Sequence, residues 1–278
     1  MATLRDTSVG EIEQRLDALE AEEAEQRTSV LTHMAWVPPE WQRKVERVMK
    51  GLGARVPSRT LILHPDPGAG VDRIDARIEH ECFEEAEHNI CAEILHVWLR
   101  GRTARVPASV VVSLLLPDLP AFLRWRGKPP FGKSEFDQLV ELADRLIVDS
   151  AEWAGLPRGY DRLAGEFDRV IVSDLAWERT LRWRAGLADL WPGIKQARSV
   201  HVTGPKAEAL LLAGWLRSRL RKQIGLRRSD ARTIRRVEVG GRPVTPAQVP
   251  GASSSDLLSD QLELFGRDRV YEAAVRAA

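Results

Sequence analysis

The chain has 278 residues, 44% of them hydrophobic, and its 41 basic and 40 acidic residues leave a net charge of +1. That apolar content suffices for two cores, and the charge balance excludes a protein that coats nucleic acid through bulk charge. No apolar run reaches the roughly 18 residues of a membrane span, the acidic N-terminus has no apolar signal core, and two cysteines fit a reducing compartment, so a cytoplasmic protein is expected.

In chain order, residues 8–26 predict an exposed helix with Ile12, Leu16 and Leu19 on one stripe. It lies in a segment, 1–30, that holds eight acids against three bases. Residues 28–37 predict a strand ended by Pro38-Pro39, 40–52 a helix closed by Gly51 and Gly53, and 59–64 a short apolar strand. Two strands, 72–82 and 90–99, form a hairpin around 83–89. With Cys82 opposite Cys91, His80 faces Glu93, Ile78 faces Leu95, Ala76 faces Val97 and Ile74 faces Leu99. One face is then mostly apolar, as a half-buried antiparallel pair requires. Residues 107–116 predict a buried helix, 121–126 a strand, 134–143 a helix and 145–148 a strand.

A domain boundary is placed at the Gly- and Pro-richer stretch 153–160. Beyond it, strands are expected at 170–172, 199–202 and 232–239, and helices at 175–190 and 205–220. A polar loop, 240–255, and a helical region, 256–277, broken at Gly266, close the chain. The fold class is α/β. An acidic helix (1–27) precedes an N-terminal α/β domain (28–153) with a mixed sheet and an antiparallel hairpin, then a C-terminal α/β domain (154–278).

Several motifs bear on chemistry. Gly127 to Ser134, GKPPFGKS, satisfies the phosphate-loop pattern G-x-x-x-x-G-K-[ST], and Asp149 ends an apolar strand where a magnesium ligand would stand. Pro129 and Pro130 lack the N–H groups such a loop aims at phosphate, and Ser134 with Asp137 reads as a capping box. His80, Cys82, His88, Cys91 and His96 have residue types that suit zinc, but their spacing converges no four ligands, so no metal site is read. Cys82 and Cys91 are placed as a cross-strand thiol pair able to form a reversible disulfide. Asp118, Asp144, Asp149 and Asp174 end apolar segments, as active-site acids of α/β proteins often do, without a paired base. Residues 217–242 hold ten bases against two acids, an attachment surface or a solvated face.

Nine Trp stand against two Tyr, several beside arginine. Trp and Arg are enriched at protein–protein hot spots, so Arg124, Trp125, Arg126, Trp183 and Arg184 are the expected partner-binding residues. The blocks SVVVSLLLPDLPAFLRWRGKPP (109–130), FDQLVELADRLIVDS (136–150), SDLAWERTLRWRAGLADLW (173–191), EALLLAGWLRSRL (208–220) and GRDRVYEAAV (266–275) resemble, in this order, the OpcA family of glucose-6-phosphate dehydrogenase assembly proteins. Arg124 departs from that pattern, which places two adjacent aromatics before Arg-Gly. The resemblance implies a non-catalytic factor, without cofactor or catalytic residues, that binds glucose-6-phosphate dehydrogenase and promotes its active state. Two alternatives stay open: a nucleotide phosphohydrolase using Lys133 and Asp149, and an RNA-binding module using Arg227, Arg228, Arg235 and Arg236.

Overall fold

A computed structural model of the chain describes residues 1–22, 29–43, 58–85, 88–248 and 254–278. The larger sheet contains β1 (Ala2–Leu4), β2 (Leu31–Trp36), β3 (Ser58–Asp66), β4 (Arg73–Glu85), β5 (His88–Arg100), β6 (Ala121–Trp125), β7 (Arg145–Val148) and β8 (Ile171–Asp174). Their spatial order is β1-β4-β5-β3-β2-β6-β7-β8. The smaller sheet contains β9 (Ser199–Thr203), β10 (Gly225–Ser229), β11 (Arg236–Val239) and β12 (Arg242–Pro243), in the order β10-β9-β11-β12. The helices are α1 (Val9–Glu22), α2 (Ala108–Val111), α3 (Ser134–Glu141), α4 (Arg158–Ala164), α5 (Leu175–Glu178), α6 (Leu181–Ala188), α7 (Lys206–Leu220), α8 (Ser254–Leu262) and α9 (Arg269–Arg276). Parallel and antiparallel pairs occur in both sheets, so the fold is α/β with two mixed sheets. The chain divides into two compact units, 1–147 with 253–265 and 148–252 with 266–278. The segment 253–265 thus returns to the first unit, which a linear division of the sequence does not represent.

In the first unit, β4 and β5 pair in the register that apolar alternation predicts, from Ile74 opposite Leu99 to Cys82 opposite Cys91. Ala76, Ile78, Leu95, Val97 and Leu99 are buried. On β2 and β6, Trp36 and Trp125 are register partners and stack at 5.0 Å, and Phe136 of α3 meets Trp125 edge-on at 5.1 Å. The opposite sheet face buries polar groups, among them His33, Thr60, His64, His96 and Arg124. Burial, followed by the Arg124 charge, holds His33 down at about 3. After α8, Phe265 packs on Phe122 at 5.7 Å.

In the second unit, Val200, Val202, Val237 and Val239 form one apolar face of the smaller sheet, packed with Trp183 and Leu187 of α6 and Leu212, Ala213 and Leu216 of α7. A Cβ at Gly214 of α7 would overlap the carbonyl oxygen of Ala274 on α9, so glycine sets how closely these helices approach.

Several elements differ from expectation. The helix expected over 175–190 is two, because Thr180 N and Oγ1 both donate to Trp177 O and end α5. Residues 107–116 form only one α turn followed by a 3-10 turn, Val112–Leu114, since Pro117 disfavours helical backbone before it. Strand β10 escapes sequence reading because GLRRS has no apolar alternation and lies exposed at a sheet edge. Strand β11 starts at Arg236 rather than Arg232. Of the helix expected over 40–52, a 3-10 turn, Pro39–Trp41, and helical backbone at 42 and 43 mark the start, and 44–52 lie outside the described residues.

Gly214→Ala is expected to destabilise the second unit by about 1–3 kcal/mol through overpacking of α7 on α9. Thermal denaturation of the variant checks it, with an unchanged Tm counting against the close approach.

Candidate functional site

Most of the residues expected to bind a partner lie inside their own units. Arg124, Trp125 and Trp183 are buried, with 4%, 2% and 3% exposure. Arg124 lies in a central strand and spends Nη1 on the carbonyls of Trp125 (3.0 Å) and Ile147 (3.3 Å). Arg126 and Arg184 are half-buried and stack on rings of their own units, over Trp41 at 4.7 Å and over Trp177 at 3.6 Å. Tryptophan–arginine adjacency in sequence therefore marks internal cation–π packing here.

Other candidates separate likewise. The backbone pairs Cys82 with Cys91, but both side chains, with His80 and His88, lie outside the described residues. His96 bonds to His64 instead (Nδ1 to Nε2, 3.0 Å), and among the described residues no group of three or more His, Cys, Asp or Glu could hold a metal. The GKPPFGKS loop does run from a strand to a helix. Lys133 N, however, turns inward to Pro130 O. The expected capping box is corrected: Lys133, not Ser134, is the N-cap of α3, and Ser134 Oγ accepts from Gln138 Nε2 at 2.7 Å.

The second unit brings Asp149 and Asp174 into a buried polar cluster. Asp149 follows β7, and Arg179 grips both its carboxylate oxygens, Nη2 to Oδ1 at 2.6 Å and Nη1 to Oδ2 at 3.0 Å. Arg179 Nε donates to Glu208 Oε1 of α7 at 2.8 Å. Burial opposes the Arg179 charge, but Asp149 and then Glu208 outweigh it and hold the guanidinium above its usual range. Burial raises Glu208, against the pull of Arg179. Asp174 caps α5, its Oδ1 accepting from Ser150 N (3.0 Å) and Ala176 N (2.9 Å). Burial, then the charge of Asp149, pushes Asp174 up to about 7. Tyr160 OH meets Ser150 Oγ at 2.9 Å, and Trp177 Nε1 donates to Asp268 Oδ2 at 2.8 Å. Each acid here is spent on an arginine or a helix cap, so the cluster braces loops rather than presenting a free base to a substrate.

On the outer face of the smaller sheet, His201 bridges Ser229 Oγ (3.0 Å from Nε2) and Glu238 Oε2 (3.0 Å from Nδ1), and Arg236 shares Glu238 at 2.6 Å. The spacing is that of a nucleophile, base and acid. The row stands on open sheet surface, where water competes with each contact, and reads as cross-strand pairing.

A different surface exposes apolar side chains. Helix α6 turns Trp183, Gly186 and Leu187 inward. Its outer side carries Leu181 (44% exposed), and just past it come Leu190 (40%) and Trp191 (59%). Lys195 Nζ lies 4.3 Å over the Trp191 ring, and Arg182 is exposed alongside Leu181. Sequence reading missed Trp191 because it falls at i+8 from Trp183, on the continuation of the buried stripe. The helix ends at Ala188, which releases the ring outward.

Two outcomes follow. Trp125→Ala and Trp183→Ala are each expected to cost about 3–5 kcal/mol of stability, measured by urea denaturation, rather than affinity alone. Asp174→Asn keeps the acceptor for Ser150 and Ala176 and removes ionisation. Because the folded-state value is raised, Asp174 binds its proton more tightly folded than unfolded. Its contribution therefore falls as pH rises from the usual carboxylate range to about 7 and stays low above it. The variant should exceed the parent at pH 8 by at least about 1 kcal/mol, with the gap narrowing as pH falls through 5 and closing only below the usual carboxylate range. A pH-independent difference in denaturation midpoints would refute the assignment.

Residues 50–174 match the family described as glucose-6-phosphate dehydrogenase subunit N-terminal domain, and residues 170–275 match its C-terminal domain. Among curated relatives, an OxPP cycle protein OpcA of Nostoc punctiforme is 26% identical over 240 residues, which cover 78% of this chain and 51% of that protein. The proteins of the same name from Synechococcus elongatus and Synechocystis are 29% identical over 204 residues and 26% over 162. They are matched over 44% and 34% of their lengths, and cover 62% and 53% of this chain. The chain thus spans about half or less of the length of these relatives. Matched from residue 50 to residue 275 by the two domains in succession, the chain belongs to the OpcA family of glucose-6-phosphate dehydrogenase assembly proteins.

Proposed function

We propose that this protein is a non-catalytic assembly and activation factor. It docks on glucose-6-phosphate dehydrogenase through the α6 surface and favours the enzyme's active state, in the cytoplasm, at the oxidative pentose phosphate pathway. Family membership supports the partner. The observation that carries the docking surface is Trp191, 59% exposed beside Leu190, with cationic Lys195 over its ring. An exposed apolar patch rimmed by charge marks an interaction site, and Trp is the residue type most often found at its energetic centre.

An effector shifts an equilibrium only by binding one state better than the other. A tenfold shift toward the active dehydrogenase requires about 1.4 kcal/mol of differential affinity. One tryptophan hot spot, worth about 2 kcal/mol or more, is enough if its pocket exists in the active state alone.

The chain alone is expected to show no turnover, and mixing it with its dehydrogenase is expected to raise the enzyme's activity. Trp191→Ala should weaken the complex at least tenfold, measured by calorimetry, with an unaltered circular dichroism spectrum because the ring is exposed. No co-purification and no change in the dehydrogenase's kinetics would overturn the function. Unchanged affinity of Trp191→Ala would remove α6 from the interface.

A further inference from the structure

The basic charge of 217–242 is not spread evenly. Where α7 ends, Arg217, Arg221, Lys222 and Gln223 line an open pocket of about 650 Å³, bordered by Arg276 of α9. Four cationic side chains line it, together with Ser218, Ala277 and Ala278, whose terminal carboxylate is the one anion of the lining. Arg217 is fixed by neutral acceptors, Nε donating to Ile224 O at 3.0 Å and Nη1 to Ala277 O at 2.8 Å. Lys222 Nζ is held by Lys195 O at 2.6 Å. These bonds position charge without neutralising it. Arg276 stacks over Phe167 at 5.0 Å and reaches Glu272 at 3.7 Å, outside hydrogen-bond distance.

Arg221 supplies an independent signal. It has φ +53 at the C-cap of α7, with its N–H on Arg217 O. Glycine fills this left-handed position at no steric cost. A helix cap alone gives no reason for arginine there, and a strained non-glycine residue in a pocket points to function.

We propose that this pocket binds the phosphate group of a small phosphorylated metabolite. Guanidinium groups already held in place match phosphate oxygens in pairs, and four cations against one carboxylate in the lining leave a positive excess that favours a dianion. The pocket has the volume of a small-molecule site. Gln223 offers both an amide donor and an acceptor to ligand hydroxyls. The proposal stands apart from the dehydrogenase reading, since it requires no partner.

Isothermal titration calorimetry on the full chain tests it, with inorganic phosphate, glucose 6-phosphate and glucose as probes. Both phosphate compounds are expected to bind, the sugar phosphate more tightly, and glucose not at all. Arg221→Gly relieves the left-handed strain, so its Tm should equal or exceed the parent's, while its affinity for glucose 6-phosphate falls at least tenfold. That combination separates a ligand contact from a structural role. Arg221→Glu should abolish binding. An absence of heat with both phosphate compounds, or undiminished affinity in both variants, overturns the proposal. So does a single-stranded oligoribonucleotide that binds more tightly than glucose 6-phosphate, with steep salt dependence and loss in the same variants, which reassigns the pocket to nucleic acid.

Discussion

The second unit depends on Arg179. Its guanidinium bonds Asp149 after β7 and Oε1 of Glu208 in the first turn of α7 together. Burying such charges costs several kcal/mol per ion, and only close geometry with further hydrogen bonds recovers it. The fork supplies that geometry with three donors to two carboxylates, an arrangement a lysine ammonium does not reproduce. Once Arg179 is set, α5 and α7 are held at fixed positions, and Asp174 fixes the loop through Ser150. Thr180 then ends α5 on Trp177 and takes a bond from Arg184 Nε at 3.0 Å. The start of α6, and with it the outward surface of that helix, is thus positioned by buried electrostatics one helix away.

How much of this was legible in sequence depends on the range of each interaction. The β4–β5 register follows from alternation alone, because one slipped residue would move the apolar set from Ile74 to Leu99 onto the wrong face. Asp149 and Asp174 stood out as acids closing apolar runs. Their roles did not, because Arg179 lies 30 residues from Asp149 and Glu208 lies 29 residues beyond Arg179. No local pattern links them. The tryptophans failed for a different reason. All five residues of β6 are buried, since a central strand is covered on both faces, and alternation then carries no information about which side chains reach solvent. Arg124 looked like a surface residue and is instead a buried donor to two carbonyls.

Helix α6 shows the same limit from the other side. Trp183 and Leu187 are spaced for one buried stripe, and Trp191 would extend it if the helix continued. The helix stops, and three residues later the aromatic faces water. Periodicity reads side-chain direction only as far as the element persists, and boundaries are set by bonds such as Thr180 to Trp177 that periodicity does not encode.

A preformed surface suits an effector without catalysis. Side chains that must be ordered on binding reduce affinity. An α6 face already anchored by Trp183 in the core and by Arg184 on Trp177 avoids most of that loss. The same economy applies at the far end of α7, where backbone carbonyls hold Arg217 and Lys222 before any anion arrives. The two ends of this 15-residue helix lie roughly 20 Å apart. Energetic coupling between them would require α7 to have two arrangements. Gly214 leaves no slack against Ala274, and Glu208 pins the first turn. A rigid α7 therefore leaves Lys195 as the link between the pocket and the α6 surface, its carbonyl holding Lys222 and its ammonium lying over Trp191.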